Sequence, residues 1–144
     1  MASRRETILE ALFAAVSAIP SVHAVRNEVT VQDLDAEPVI LALMDGGPEA
    51  EQIVAGGSHE FTHVAEIDIA IADAGTPARD AEFDRVATAI DTTLAADRTL
   101  GGLADYLEVR PPQNVSPERV LGAESVKHAT IPVAIWYTAA STAG

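Results

Sequence analysis

The pattern with the clearest chemical meaning is an H-E-x-x-H string that runs from His59 to His63. In metalloproteases this spacing places two imidazoles on one helical turn, where both reach a zinc ion and the Glu acts as the base. Here Gly56 and Gly57 precede the string and alternating β-branched residues follow it, which predicts a strand. Residues four apart on a strand are separated by about 13 Å and cannot share one ion. Glu82, farther along the chain, has no His or Asn around it that would complete a site. We therefore predict no metal site.

Other catalytic patterns are missing from the sequence. It contains no G-x-S-x-G nucleophile elbow and no G-x-x-x-x-G-K phosphate loop. The run D-G-G-P at residues 45–48 is interpreted as a tight turn that uses glycine for positive φ. The acidic groups at 66–68 and 80–84 fit solvated faces, and His23 and His128 have no partner pattern. We predict no catalytic, cofactor-binding or metal-ligating residues, and a protein that is not an enzyme.

The charge balance argues against binding to nucleic acid or to anionic membranes. The 144 residues include 22 acidic and 9 basic side chains, for a net charge of −13, which repels phosphate groups. The acidic residues are spread along the chain, so a solvated surface explains them, and an acidic lining past which DNA slides is the sharper alternative. Without cysteine there is no disulfide framework or thiol chemistry. No segment approaches the ~20 apolar residues needed to span a bilayer.

Two amphipathic helices are predicted. The first begins with a capping box of Ser3 and Glu6, in which each side chain satisfies the other's free N–H, and it ends before Pro20. The second is predicted from Thr76 as N-cap, with Pro77 at its first position, to about Ala96. Each carries apolar residues at helical spacing on one side.

Five strands are predicted around these helices. They cover residues 22–26, the apolar run 39–44, the alternating segment 59–71, residues 106–110 and residues 130–138. The segments 46–58, interpreted as a mobile loop, and 111–125 have no clear period and are the longest predicted loops. These elements predict one α+β domain over residues 1–144, with a mostly antiparallel sheet of four or five strands and both helices on one face.

Particular segments of this order match a known pattern. They are the apolar strand ending in Asp45-Gly46, the run D-R-T-L-G-G-L at residues 97–103, and the last strand through I-W-Y-T at residues 135–138. Together with the two helices, they resemble the tail terminator (tail completion, minor tail protein U-like) family of long-tailed phages and the gene transfer agents derived from them. The resemblance covers most of the chain.

The resemblance implies a structural virion protein that assembles in the bacterial host cytoplasm. Such a subunit forms a homo-oligomeric ring, a hexamer, that caps the tail tube, stops its polymerisation and offers a surface to the head–tail connector protein. DNA passes through the ring without specific binding, and neither cofactors nor membranes are involved. The alternatives are another connector or tail subunit, or a small enzyme or ligand-binding domain.

Overall fold

The computed structural model describes residues 2–28, 39–54, 56–72, 76–119 and 125–140. These residues form an α+β fold. Its elements in chain order are α1 (Arg4–Ser17), β1 (His23–Arg26), β2 (Val39–Ile53), β3 (His59–Ala72), α2 (Thr76–Ala95), β4 (Tyr106–Val109), β5 (Gln113–Arg119) and β6 (Ser125–Ala139). Neither helix of this described part has the length and apolar character needed to cross a membrane.

The first helix begins where the sequence predicts it. The Ser3 hydroxyl accepts a hydrogen bond from the Glu6 backbone N–H at 3.1 Å, so the N-cap of α1 is confirmed. The reciprocal bond of the capping box is replaced, because the Glu6 carboxylate instead accepts from the guanidinium of Arg26. The second helix, α2, begins at Thr76 itself, one position earlier than predicted.

The strands form one sheet in the order β1-β2-β3-β6-β4. The same edge of β6 pairs with β5 along its first half and with β4 along its second half. All pairs are antiparallel except β1 with β2, which run parallel. The predicted α+β class and mostly antiparallel sheet are confirmed. The sheet has six strands, one more than the upper expectation, and its parallel pair makes it mixed.

Both helices cover the same face of the sheet. Odd-numbered positions of β3 and β6 point to this face. For example, the ammonium group of Lys127 in β6 lies 4.5 Å from the ring centroid of Phe83 in α2. Burial of this apolar face stabilises the fold by roughly 25 cal/mol per Å² removed from water. Its largest fully buried side chains include Leu9, Leu12, Leu41, Ile67, Ile69, Ile90, Leu94, Leu107 and Ile131. The opposite face, formed by even-numbered positions of β3 and β6, is called the open face below, and no described helix covers it.

A glycine bulge interrupts β2 where the sequence suggested a turn. The register against β3 shifts between Met44 and Gly47 and again between Pro48 and Ala50. Gly46 has a φ of +64°, and a Cβ built there would lie 1.9 Å from the Val64 carbonyl oxygen. The chain therefore bends at Gly46 and continues as a strand. The predicted loop at 46–58 is wrong for residues 46–53, because these pair with β3.

The predicted loop at 111–125 also contains a strand, β5, although residues 120–124 lie outside the described part. The residues Pro111 and Pro112 separate β4 from β5 along the shared edge of β6. Opposite this break lies Pro132, whose carbonyl accepts from the Arg110 N–H at 2.9 Å. In an antiparallel strand, the backbone N and O of one residue point to the same neighbouring strand. The nitrogen of Pro132 therefore points to the break between β4 and β5, and its missing N–H costs at most one hydrogen bond of the sheet.

Candidate functional site

The two histidines of the H-E-x-x-H string lie on β3, so the predicted strand is confirmed for this segment. They have different partners. The His59 Nδ1 lies 3.4 Å from the Glu51 carboxylate, and the His63 Nε2 lies 2.5 Å from the Asp45 carbonyl oxygen. The intervening Glu60 points to the opposite face. Within the described ranges, no three His, Asp or Glu side chains are grouped as metal ligands would be.

The predicted solvated carboxylates are held by simple contacts. Glu82 pairs with Arg85 one helical turn later, and Asp80 accepts from the Lys127 ammonium at 2.9 Å. Asp68, on the open face, accepts from the Thr130 hydroxyl at 2.9 Å. Each of these contacts pairs one carboxylate with one donor and has a modest energy, and none joins two carboxylates for acid–base chemistry.

A cavity of about 380 Å³ lies at one end of the open face. It is lined by residues 50–52 of β2, 60–62 of β3, 136–137 of β6, and Asp105 just before β4. By strand alternation, Gln52, Glu60, Thr62 and Trp136 point to the open face at this end. The cavity therefore gathers side chains from three strands and one turn.

One wall of the cavity is formed by β2, because this strand bends toward the open face at its two register shifts. The clearest evidence is a contact between Arg110, which follows β4, and Glu49, which lies within the second shift of β2. Their guanidinium and carboxylate are 3.2 Å apart, although β6 and β3 separate the two strands. Bulges increase local twist and bend the strand that carries them, so the two shifts account for this curvature.

The lining of the cavity combines carboxylates with aromatic surface. Glu60 and Asp105 contribute two carboxylates, whereas Glu51, paired with Phe61, directs its carboxylate to the helix-covered face beside His59, and no lining residue is Lys or Arg. Asp105 accepts a hydrogen bond from the Thr138 hydroxyl at 3.3 Å. Beside the cavity, the ring of Trp136 lies 6.0 Å from that of Tyr106, which is 45% exposed. Such a lining is suited to binding a positively charged, planar group.

A second polar cluster lies near the bulge and links three elements. Arg26 of β1 donates to Glu6 of α1 at 2.7 Å and to Asp45 of β2 at 2.9 Å. The hydrogen bond from Arg26 lowers the pKa of Glu6 below its usual value. Burial raises the pKa of Asp45, but hydrogen bonds from Arg26 and Asn27 outweigh it, and the net pKa is lowered. All three charges are used within the fold, so this cluster is structural.

The segment at residues 97–103, which contributes to the family resemblance, is also structural. The Asp97 carboxylate accepts from the backbone N–H groups of Thr99 and Gly101, at 3.2 and 2.8 Å. These bonds lower the pKa of Asp97 and hold a turn in which Leu100 has a φ of +51°. The guanidinium of Arg98 lies 5.5 Å from the Tyr106 ring centroid, which connects the turn to the rim of the cavity.

Sequence reasoning did not find the cavity. Its residues come from separate segments, and its wall depends on bulges that the sequence presents as a turn and a loop. One signal was available: Trp136 is the only tryptophan, and it occupies an even-numbered position of a strand whose odd positions from 129 to 139 are apolar.

Comparison with known proteins adds no identification. The sequence matches no protein-family model, and no curated protein matches it.

Proposed function

We propose that this protein is a ring-forming tail terminator of a phage or phage-like particle, which caps the tail tube and presents a joining surface to the head. The observation that carries the proposal is the two-sided sheet. One face is covered by both helices, and the open face carries the exposed carboxylates Glu60, Glu66 and Glu108 with the half-buried Asp68. A subunit of this kind suits a ring whose helices face outward and whose acidic sheet faces a DNA channel.

The charge of the open face supports a channel role. Phosphate groups are repelled by carboxylates, so DNA can move past such a surface without adhering to it. Arg110, a cation on the same face, is already paired with Glu49. A DNA-binding protein would instead present unpaired Lys and Arg side chains.

The borders of the sheet are compatible with a closed ring. One border is β1, a short parallel strand, and the other consists of β4 and β5 along β6. The two borders differ in length, direction and sequence. A head-to-tail contact between unlike surfaces closes into a ring when the rotation between neighbours divides a full turn.

Assembly is tested on purified protein and isolated tail tubes. We expect light scattering after size exclusion, or negative-stain images, to reveal rings either free in solution or on tube ends. We also expect particles without the protein to have tails of uncontrolled length or tails that do not join heads. A monomer that never binds tubes, together with normal head-joined tails in the deletion, would contradict the proposal and favour a small ligand-binding domain or enzyme.

The channel assignment has its own test with a matched control. The double substitution Glu66→Lys and Glu108→Lys should leave assembled particles intact but lower DNA delivery, because the reversed charges attract phosphate. The control reverses two exposed carboxylates on the helices, Glu10→Lys and Asp84→Lys, with the same change in net charge. Equal loss of delivery in both variants would contradict an inward-facing open face.

A further inference from the structure

We propose that the cavity at the end of the open face is a binding site for an arginine side chain presented by a partner protein. This inference does not depend on the terminator function, since it rests on the lining of the cavity alone. The occupant would place its guanidinium between the carboxylates of the cavity and the face of an aromatic ring.

The electrostatics of the lining favour a cation. Two carboxylates, those of Glu60 and Asp105, face a cavity of about 380 Å³. Glu60 has no ion-pair or hydrogen-bond partner within the described part of the chain, whereas the carboxylates near the bulge are all paired. Both carboxylates are exposed to solvent, and neighbouring like charges that have no counterion still repel one another, although water and salt weaken the effect. A bound cation would remove this repulsion.

The aromatic part of the lining favours arginine over lysine. Trp136 forms part of the cavity wall and is half-buried. A guanidinium is planar and weakly hydrated, so it stacks on an aromatic ring and still donates to a carboxylate with its edge. The chain contains an instance of this contact next to the cavity, because Arg98 lies over Tyr106 while it donates to the Leu107 carbonyl at 3.1 Å.

The polar floor of the cavity adds specificity for a group with several N–H donors. Thr62 and Gln52 contribute side-chain oxygens on the open face beside Glu60. An arginine has five N–H donors in a fixed arrangement, which can satisfy a carboxylate and a neutral oxygen together. The partner is a protein, because a nucleic acid would bring phosphate groups against these two carboxylates.

The chain supplies its own reporter for the test. Trp136 is the only tryptophan, so intrinsic tryptophan fluorescence reports on this cavity. The probes are N-acetyl-arginine amide, the lysine analogue, and the citrulline analogue, which has nearly the shape of arginine without its charge. We expect a saturable fluorescence change with arginine, weaker binding of lysine and none of citrulline. Equal responses to arginine and citrulline, or no saturable response to arginine, would overturn the proposal.

Two variants locate the site. Glu60→Gln should weaken arginine binding about three- to tenfold, because a charge-assisted hydrogen bond becomes a neutral one. Glu66→Gln removes the same charge from the same strand and face, about 20 Å away, and should leave the affinity unchanged. Equal weakening in both variants would mean a general field effect and no site. Saturable binding of a neutral oligosaccharide such as chitotriose, without binding of arginine, would replace the proposed ligand by a sugar.

Discussion

Arg26 and Glu6 form a two-point ion pair that connects the outermost strand of the sheet to the first helix. The Arg26 Nη1 and Nη2 lie 2.7 and 2.9 Å from the two carboxylate oxygens of Glu6. The same guanidinium donates to Asp45 at 2.9 and 3.1 Å, so one cation joins α1, β1 and β2. This geometry is the strong, directional form of an arginine–carboxylate contact.

Removal of this guanidinium should destabilise the protein. Arg26→Ala leaves two carboxylates without their shared partner, and we expect a loss of about 1–2 kcal/mol in the free energy of unfolding. The expected loss is modest because both carboxylates are partly exposed to solvent, which weakens their ion pairs. Arg26→Lys keeps the charge but not the two-point contact, so its loss should be smaller. Urea unfolding of the three proteins measures the difference.

Arg85→Ala is the matched control for this variant. Arg85 pairs with Glu82 on the surface of α2, three positions earlier in the same helix. An exposed pair of this kind contributes about 0–1 kcal/mol. A loss for Arg85→Ala as large as that for Arg26→Ala would mean that the three-element contact has no special role.

Acid should remove the contribution of this cluster. Glu6 and Asp45 have pKa values lowered from 4.5 and 3.8 in the folded state, so folding stabilises their charged forms. Their contribution is complete well above these ordinary values and is lost as the pH falls through the lower folded values. The difference in unfolding free energy between wild type and Arg26→Ala should therefore be constant near pH 7 and shrink below pH 4.5. A difference that grows on acidification would contradict this assignment.

Local patterns in the sequence predicted the elements whose signals are contained within one segment. Ser3 caps α1 as predicted, and the alternation from Phe61 to Ile71 predicted β3. The prediction for Glu6 was wrong in one respect, since its carboxylate binds Arg26, twenty positions along the chain, instead of the helix N-terminus. A local rule cannot anticipate a partner brought close by the tertiary fold.

The remaining features depend on pairing between distant segments. The strand β5 has polar residues and no alternation, and it becomes a strand because β6 offers it an edge beyond the break at Pro111 and Pro112. The parallel pairing of β1 with β2 carries no local signal at all. The cavity requires both the order of β2, β3 and β6 and the bend at Gly46, so its residues could be identified only from the structure.

Zinc should leave the thermal stability unchanged. His59 and His63 are four positions apart on a strand, about 13 Å along it, and they contact different groups. Since a carbonyl oxygen only accepts, the His63 Nε2 donates to Asp45, and this nitrogen has no lone pair free for a metal. Differential scanning fluorimetry with zinc and with chelator is the measurement. A zinc-dependent rise in melting temperature that disappears in His59→Ala would contradict the prediction.

The bend in β2 should depend on the absence of a side chain at residue 46. A Cβ at Gly46 would lie 1.9 Å from the Val64 carbonyl oxygen, and the φ of +64° disfavours any L side chain there. We expect Gly46→Ala to lower the free energy of unfolding by about 1–3 kcal/mol, since either the backbone strains or β2 separates from β3.

The neighbouring Gly47 has no atom within 4 Å of a built Cβ and no positive φ, so Gly47→Ala should cost less than about 1 kcal/mol. If the two variants are equally stable, the close approach at Gly46 does not determine the bend. We also expect Gly46→Ala to weaken arginine binding at the cavity, because the curvature of β2 that forms the cavity wall depends on this glycine.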